Sequence, residues 1–151
     1  MINKNFKDVE AIAGVATGAI AHGALVADSM KLPFLYVRSS AKSHGMENLI
    51  EGDTKPGQRI VVVEDLISTG SSSLRAVEAL RSEDCEVLGM VAIFTYGFKI
   101  SEEKFREADC RLFTLSNYEA LLEHAIESGY ISHKDLEILK KWRQDPGNWP
   151  D

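Results

Sequence analysis

The sequence predicts an α/β fold, built on a doubly wound, mostly parallel sheet flanked by helices. Short apolar segments rich in β-branched residues alternate with segments of helical apolar spacing, which is the order expected for parallel strands joined by helices. Residues 60–63 read Ile-Val-Val-Val, a run that is apolar on both faces and typical of a strand buried between two helix layers. Because the chain has 151 residues and lacks repeats or linkers, we predict a single domain over residues 1–151.

The individual elements follow from periodicity and from their end signals. Strands are predicted at residues 9–14, 34–38, 60–63, 86–96 and 111–116, and helices at about 19–29, 74–82, 101–108, 117–128 and 132–145. Asn117 suits a helix cap, and Gly129 ends that helix. Ser132 and Asp135 have the spacing of a capping box, and Pro146 stops the last helix.

Composition excludes several classes of function. A net charge of -6 without a basic stripe argues against nucleic acid or an anionic membrane as a partner. No apolar run approaches membrane-spanning length, and no signal peptide precedes the first predicted strand. Cys85 and Cys110 fit no metal spacing, and we expect them to be reduced thiols of a cytoplasmic protein.

Residues 59–73 carry the most specific chemical signal. Glu64 and Asp65 are expected where the apolar strand ends, at the edge where open α/β sheets bind ligands. A hydroxyl-rich turn at residues 68–73 follows, and a predicted helix opens behind it at Leu74. Helix N-termini with nearby hydroxyls bind anions, and carboxylates hold sugar hydroxyls. The segment therefore predicts a site for a phosphorylated sugar. The alternative is a buried strand whose acids only cap the next helix.

This segment resembles the 5-phosphoribosyl 1-diphosphate (PRPP) motif of type I phosphoribosyltransferases. The resemblance implies that family's fold and a PRPP site, with Asp65 also catalytic. The implied PRPP residues here are Glu64, Asp65, Leu66, Ile67, Ser68, Thr69, Gly70, Ser71 and Ser72. The acids would hold the ribose hydroxyls and residues 68–72 the 5′-phosphate. Ser68 is also implied to contact orotate.

A second segment resembles the mobile loop of orotate phosphoribosyltransferases. Arg38 stands at the end of a predicted strand, and Lys42-Ser-His-Gly follows. The family pattern implies that Arg38, Lys42 and His44 bind PRPP, and that Lys42 and His44 are catalytic. A point charge, a bidentate fork and a group that titrates near neutral pH suit a departing pyrophosphate. The chain departs from the family at Ser39 and Ser40, where a further Lys is usual. On its own, the segment also fits a solvated surface loop.

A third segment runs from Gly14 to Gly18. In the family the corresponding strand-to-helix turn holds pyrophosphate with backbone N–H groups, which implies that role here for Ala16, Thr17 and Gly18. The alternative is a tight turn that packs its helix closely on the sheet. Aromatic residues at 94–98 also end a predicted strand, where we expect core packing rather than stacking on a base.

Together these resemblances imply an orotate phosphoribosyltransferase, which makes orotidine 5′-phosphate and pyrophosphate from orotate and PRPP. They also imply Mg²⁺ as cofactor, held mainly by substrate and water oxygens so that no residue is assigned as a metal ligand. A homodimer is implied, with the loop from Arg38 to His44 reaching the other subunit. The family's N-terminal hood over the base is expected to be largely absent, because the chain begins almost at its first core strand. The alternatives are a purine-salvage phosphoribosyltransferase and a non-catalytic PRPP-binding regulatory domain.

Overall fold

The computed structural model describes residues 1–38 and 49–148, and within these ranges six strands form one sheet. The strands are β1 (Ala11–Val15), β2 (Phe34–Val37), β3 (Ile50–Glu51), β4 (Arg59–Ile67), β5 (Glu86–Thr95) and β6 (Leu112–Asn117). The helices are α1 (Ile2–Asn5), α2 (Ile20–Met30), α3 (Ser71–Ser82), α4 (Lys99–Glu107), α5 (Tyr118–Glu127) and α6 (His133–Gln144), with a final 3₁₀ turn at Pro146–Asn148.

The sheet has the order β3-β2-β1-β4-β5-β6, and its strands are parallel except for the β2–β3 pair. After β1 the chain moves outward to β2 on one side, and it later returns to place β4 on the other side of β1. The point between β1 and β4 is therefore a topological switch point, where the loops after the two strands diverge and leave a crevice. The predicted α/β class with a mostly parallel sheet is confirmed.

Two apolar layers pack on the faces of this sheet. Alternate residues of β4 divide between them, because successive side chains of a strand point to opposite faces. Ile60 and Val62 belong to the layer that includes Leu74, Val77 and Leu80 of α3. Val61 and Val63 belong to the layer that includes α1 and α2 residues. Both faces of β4 are thus covered, as its unbroken apolar run predicts.

The predicted caps of the C-terminal helices are confirmed. The Asn117 side chain accepts a hydrogen bond of 2.9 Å from the backbone N–H of Ala120. Ser132 and Asp135 form a reciprocal capping box at the start of α6.

Four features differ from the sequence prediction. β4 does not end at Glu64 and Asp65 but continues to Ile67, because its ladder with β5 goes on beyond the acids. Helix α3 begins at Ser71 rather than Leu74, since Gly70 supplies the N-cap. The short helix α1 and the two-residue strand β3 were not predicted, because segments this short carry no readable period.

A β-bulge interrupts the β4–β5 ladder near its start. Ile60 pairs with Val87, whereas Val61 pairs with Gly89, so that β5 contains one extra residue. Gly89 has φ +152°, and a Cβ there would lie 2.6 Å from the Phe6 ring. The bulge is therefore packed directly under the segment that follows α1.

Within the described ranges, no helix is long and apolar enough to span a membrane.

Candidate active site

The site lies in the crevice at the switch point, between the loops that follow β1 and β4. The first loop holds residues 16–19 and leads into α2, and the second holds residues 68–70 and leads into α3. Both loops leave the carboxyl edge of the sheet from adjacent strands. Ser68 and Thr69 are exposed there, as are Thr17 and Gly18. The sequence-predicted phosphate turn and pyrophosphate turn therefore face one shared opening.

The two acids of β4 point to opposite faces of the sheet. Asp65 is half-buried, and its carboxylate lies against the α-carbon of Gly18 from the neighbouring loop. A Cβ on residue 18 would lie 2.6 Å from the Asp65 Cγ, closer than ordinary packing allows. The glycine therefore leaves the space that the carboxylate occupies, and it brings the backbone of the first loop to the acid of the second.

Glu64 lies on the other face, and only 4% of its surface is exposed. The Ser73 hydroxyl, from α3, donates a hydrogen bond of 2.8 Å to one carboxyl oxygen. The backbone N–H of Asp65 donates one of 3.1 Å to the other. Burial, helped by the neighbouring Asp65 side chain, raises the pKa of Glu64 from 4.5 to about 7. The adjacent acids are thus chemically different: Glu64 carries a proton for much of the time at neutral pH.

The hydroxyl turn is shaped by Gly70. This residue has φ +78°, and a Cβ there would lie 2.9 Å from the ring of Phe105. Both observations require glycine. No side chain caps α3, whose first intrahelical bond of 2.9 Å runs from the Leu74 N–H to the Gly70 carbonyl. The N–H groups of the first turn of α3 are therefore open to an anion, beside the hydroxyls of Thr69 and Ser71.

The glycines in and around the turn after β1 have two different roles. A Cβ on Gly14 would lie 2.8 Å from the Ala19 carbonyl oxygen, and a Cβ on Gly23 would lie 2.7 Å from the Phe34 ring. These two glycines let α2 pack closely on the sheet, as the alternative reading of this segment expects. Gly18 instead faces the crevice and Asp65. The peptide bond between Ala16 and Thr17 is cis.

Of the residues predicted for the mobile loop, the structure describes Arg38. Its backbone N–H donates to the Leu49 carbonyl at 2.8 Å. Its half-buried guanidinium lies 3.4 Å from a carboxyl oxygen of Glu51 in β3. Lys42 and His44 lie outside the described residues, as do Ser39 and Ser40.

The aromatic residues near the end of β5 form a cluster, as the sequence favours. Tyr96 stacks on Phe98 with ring centroids 5.3 Å apart, and it also contacts Tyr118 and Trp142. Arg143 of α6 stabilises the backbone of this cluster by donating hydrogen bonds to the Tyr96 and Gly97 carbonyl oxygens, each at 3.0 Å. A cavity of about 640 Å³ lies between this cluster and the exposed Ser68–Thr69 turn.

Two site-adjacent residues were missed by sequence reasoning. Lys104 of α4 donates a hydrogen bond of 2.7 Å to the hydroxyl of Ser71. Arg143 anchors the loop beside the cavity. Each contact spans more than thirty residues of sequence, and neither residue belongs to a motif. The one available signal was position, because α4 follows β5, and α6 comes after β6 and α5, on the same side of the sheet.

The environment of Glu64 predicts a specific pH dependence of stability. Between pH 4.5 and about 7 the unfolded chain loses the Glu64 proton while the native protein retains it, so this group stabilises the fold at low pH and ceases to do so as pH rises. We expect the unfolding free energy of Glu64→Gln, relative to wild type, to increase across this range by up to about 3 kcal/mol. Glutamine mimics the protonated acid, and Ser73 can accept from its amide.

Denaturant unfolding at a series of pH values measures this difference. The matched control is Glu123→Gln, which removes an exposed glutamate of α5. Parallel pH curves for wild type and Glu64→Gln would contradict the assignment.

Comparison with known proteins agrees with this geometry. Residues 2–124 match the family model described as phosphoribosyl transferase domain. The orotate phosphoribosyltransferase of Bacteroides thetaiotaomicron is 60% identical over 149 residues, covering 99% of this chain and 70% of that protein. The corresponding protein of Phocaeicola vulgatus is 58% identical with the same coverage. The crystal structure of orotate phosphoribosyltransferase from Aeropyrum pernix gives a TM-score of 0.72 at 31% identity, covering 83% of this chain and 68% of that chain.

The chain thus spans about 70% of the length of the curated relatives it matches. The match extends over both loops of the crevice and the whole of the β4–α3 motif. This chain belongs to the orotate phosphoribosyltransferase family of phosphoribosyl transferases.

Proposed function

We propose that this protein transfers the 5-phosphoribosyl group from PRPP to orotate, giving orotidine 5′-phosphate and pyrophosphate. The observation that carries the proposal is the contact of the Asp65 carboxylate with Gly18 across the switch point, with the uncapped, hydroxyl-rich start of α3 at Ser71, six residues further along. This arrangement offers a carboxylate to a sugar and two sets of backbone donors to phosphates on either side of it.

In this proposal the ribose and its 5′-phosphate occupy the second loop. Asp65 accepts hydrogen bonds from the ribose hydroxyls, since its carboxylate is half-buried at the crevice. The 5′-phosphate lies over residues 68–72, where the first N–H groups of α3 and the hydroxyls of Ser68, Thr69, Ser71 and Ser72 can donate to it. These contacts hold the sugar at a fixed distance from the first loop, which is most of what catalysis by positioning requires.

The pyrophosphate group is proposed to lie on residues 16–18. Negative charge grows there as the bond to the ribose breaks, so donors aimed at it stabilise the transition state more than the ground state. Arg38 can join by exchanging its contact with Glu51 for the pyrophosphate oxygens, because both ends of that ion pair are partly solvent-accessible. Lys42 and His44 are proposed to bind the same pyrophosphate, and to exclude water that would hydrolyse the activated sugar.

The donor set is compatible with Mg²⁺ bound together with substrate. Within the described ranges, no group of three or more His, Cys, Asp and Glu side chains comes together as a metal cage. Asp65 offers oxygen ligands at the crevice, and Mg²⁺ characteristically takes one or two carboxylates plus phosphate oxygens and water. When bound, the ion would neutralise charge on the diphosphate.

Glu64 has a different place in the proposal. Its predicted contact with a ribose hydroxyl requires the carboxyl to give up its bond to Ser73, because only 4% of the residue is exposed. A pKa near 7 makes such an exchange feasible, since a protonated carboxyl can both donate and accept. Its present contacts join β4 to α3 and so hold the turn between them.

Orotate is proposed to enter on the side of Ser68, where the cavity next to the aromatic cluster opens. The 58–60% identity to proteins named orotate phosphoribosyltransferase favours orotate over a purine base. A PRPP-binding regulatory domain would share residues 64–72 but would form no product.

The proposed reaction is tested by incubating the purified chain with PRPP, Mg²⁺ and orotate. We expect orotidine 5′-phosphate and pyrophosphate in equal amounts, and no nucleotide when adenine, guanine or hypoxanthine replaces orotate. Binding of PRPP without product would support the regulatory alternative, and nucleotide formed only from a purine would support the salvage alternative.

The Gly18–Asp65 contact predicts the effect of one added methyl group. In Gly18→Ala the new Cβ displaces the Asp65 carboxylate, while the backbone at residue 18 needs no unusual φ. We expect PRPP affinity to fall by about 1.5–3 kcal/mol, the range for a lost hydrogen bond to a charged group. Calorimetric titration with PRPP and Mg²⁺ measures it.

The matched control is Gly147→Ala, because a Cβ at residue 147 meets no described atom within 4 Å. Residue 147 lines the cavity proposed for orotate, so the titration contains PRPP and Mg²⁺ without orotate. Equal PRPP affinity in Gly18→Ala and wild type would remove Asp65 from the ribose site.

We also propose that the protein is a cytoplasmic homodimer in which the loop from Arg38 to His44 reaches the partner's crevice. Support comes from the family resemblance of this loop, and from two buried, unpaired thiols in the described structure that suit a reducing compartment.

Mixing two inactive variants tests the shared site. If Lys42 acts on the partner's site, a mixed dimer of Lys42→Ala and Asp65→Asn protomers contains one site with both residues intact. After subunit exchange we expect about a quarter of wild-type activity, since half of the dimers are mixed and half of their sites are intact. Well-exchanged mixtures that stay inactive would place the loop on its own subunit's site.

A further inference from the structure

Helix α4 supports the phosphate turn from behind, although no motif assigns it to the site. Phe105 is buried and lies directly under Gly70, and Ser101 is buried beside it. The neighbouring Lys104 is half-buried, and its ammonium group donates a hydrogen bond of 2.7 Å to the hydroxyl of Ser71. This is the shortest bond in the turn and the one cationic contact to it among the described residues.

Lys104 has no carboxylate within ion-pair distance in the described part of the chain, whereas its helix neighbour Lys99 pairs with Glu103 at 3.7 Å. Glu78 and Glu107 line the same shallow depression as Lys104 without pairing with it. The bonded partner of Lys104 is a neutral hydroxyl, and no described carboxylate pairs with its ammonium group. The uncapped start of α3 adds positive potential at the same place.

The direction of the Lys104–Ser71 bond fixes the role of the Ser71 hydroxyl. An ammonium group can only donate, so the Ser71 oxygen must accept. The Ser71 proton is then directed away from Lys104, toward Thr69, whose hydroxyl lies 3.3 Å away, or toward a ligand in the turn. Lys104 thereby converts a hydroxyl that could accept or donate into one that donates outward.

We propose that Lys104 is a positioning residue for the 5′-phosphate of PRPP: it orients the Ser71 hydroxyl as a donor and supplies the compensating charge for a phosphate dianion. This inference deepens the proposed function and rests on it. The competing account is that Lys104 only ties α4 to α3. That account predicts a loss of stability without a specific loss of phosphate affinity.

The test compares Lys104→Met, Lys104→Arg and the control Arg106→Met, which removes an exposed cation of the same helix. With Lys104→Met we expect the KM for PRPP to rise about tenfold, and the Kd for ribose 5-phosphate to rise by a similar factor, as for a lost charge-assisted bond. We expect kcat to change little, because the 5′-phosphate is bound equally in ground and transition states. Lys104→Arg should recover most of the affinity, and Arg106→Met should match wild type.

A double-mutant cycle with Ser71→Ala separates positioning from simple support. If Lys104 acts through the Ser71 hydroxyl, Lys104→Met should weaken ribose 5-phosphate binding several-fold less in the Ser71→Ala background than in wild type. Additive effects, or unchanged affinity with a lowered thermal midpoint, would overturn the inference. Ribose 5-phosphate binding does not require turnover, so a wild-type chain that makes no orotidine 5′-phosphate would overturn the proposed function and leave this test intact.

Discussion

The contact between the Asp65 carboxylate and the α-carbon of Gly18 joins the two halves of the crevice. β1 and β4 are adjacent in the sheet, and this contact brings the backbone of the loop after β1 to the carboxylate at the end of β4. Its geometry depends on features at several levels. The parallel β1–β4 register sets Gly14 beside Val63, and the strand period then turns Asp65 toward the α2 side. The absence of a side chain at residue 18 finally lets the carboxylate reach the backbone.

The adjacent acids illustrate how one strand gives two carboxyl groups different chemistry. Glu64 is enclosed between β4 and α3, and its pKa of about 7 leaves it partly protonated near neutral pH, whereas the Asp65 side chain is half-buried at the crevice. Alternation along the strand places the two on opposite faces, so Glu64 is buried while Asp65 is only half-buried. Two adjacent acids therefore lie in different environments, and Glu64 has a structural role in joining β4 to α3.

The sequence predicted the fold class, the long strands and helices, and the caps at Asn117 and Ser132, and it placed the turns after β1 and β4 at one edge of the sheet. Each of these features depends on residues that are close together in the sequence: the spacing of apolar residues, the capping residues and one long ordered motif. It placed the end of β4 too early, because charged residues usually leave a sheet, whereas here the ladder to β5 continues to Ile67. It could not identify Lys104 or Arg143, since their contacts depend on how α4 and α6 lie against distant loops. Nor could it separate Glu64 from Asp65, because burial is a property of the packed layers.

The bulge near the start of β5 has a consequence for the other end of the strand. Downstream of Gly89 the extra residue sets the β4–β5 register, so that the small side chain of Ala92 lies next to Glu64, and Phe94 next to Leu66. If the bulge were lost while β5 kept its length, Leu88 would pair with Val61, and Val91 would lie next to Glu64 in place of the smaller Ala92. The spacing is held by Gly89 under the ring of Phe6, far from the crevice. The packing of Phe6 on Gly89 therefore determines, from the opposite end of the strand, which side chain of β5 lies beside the buried carboxyl group.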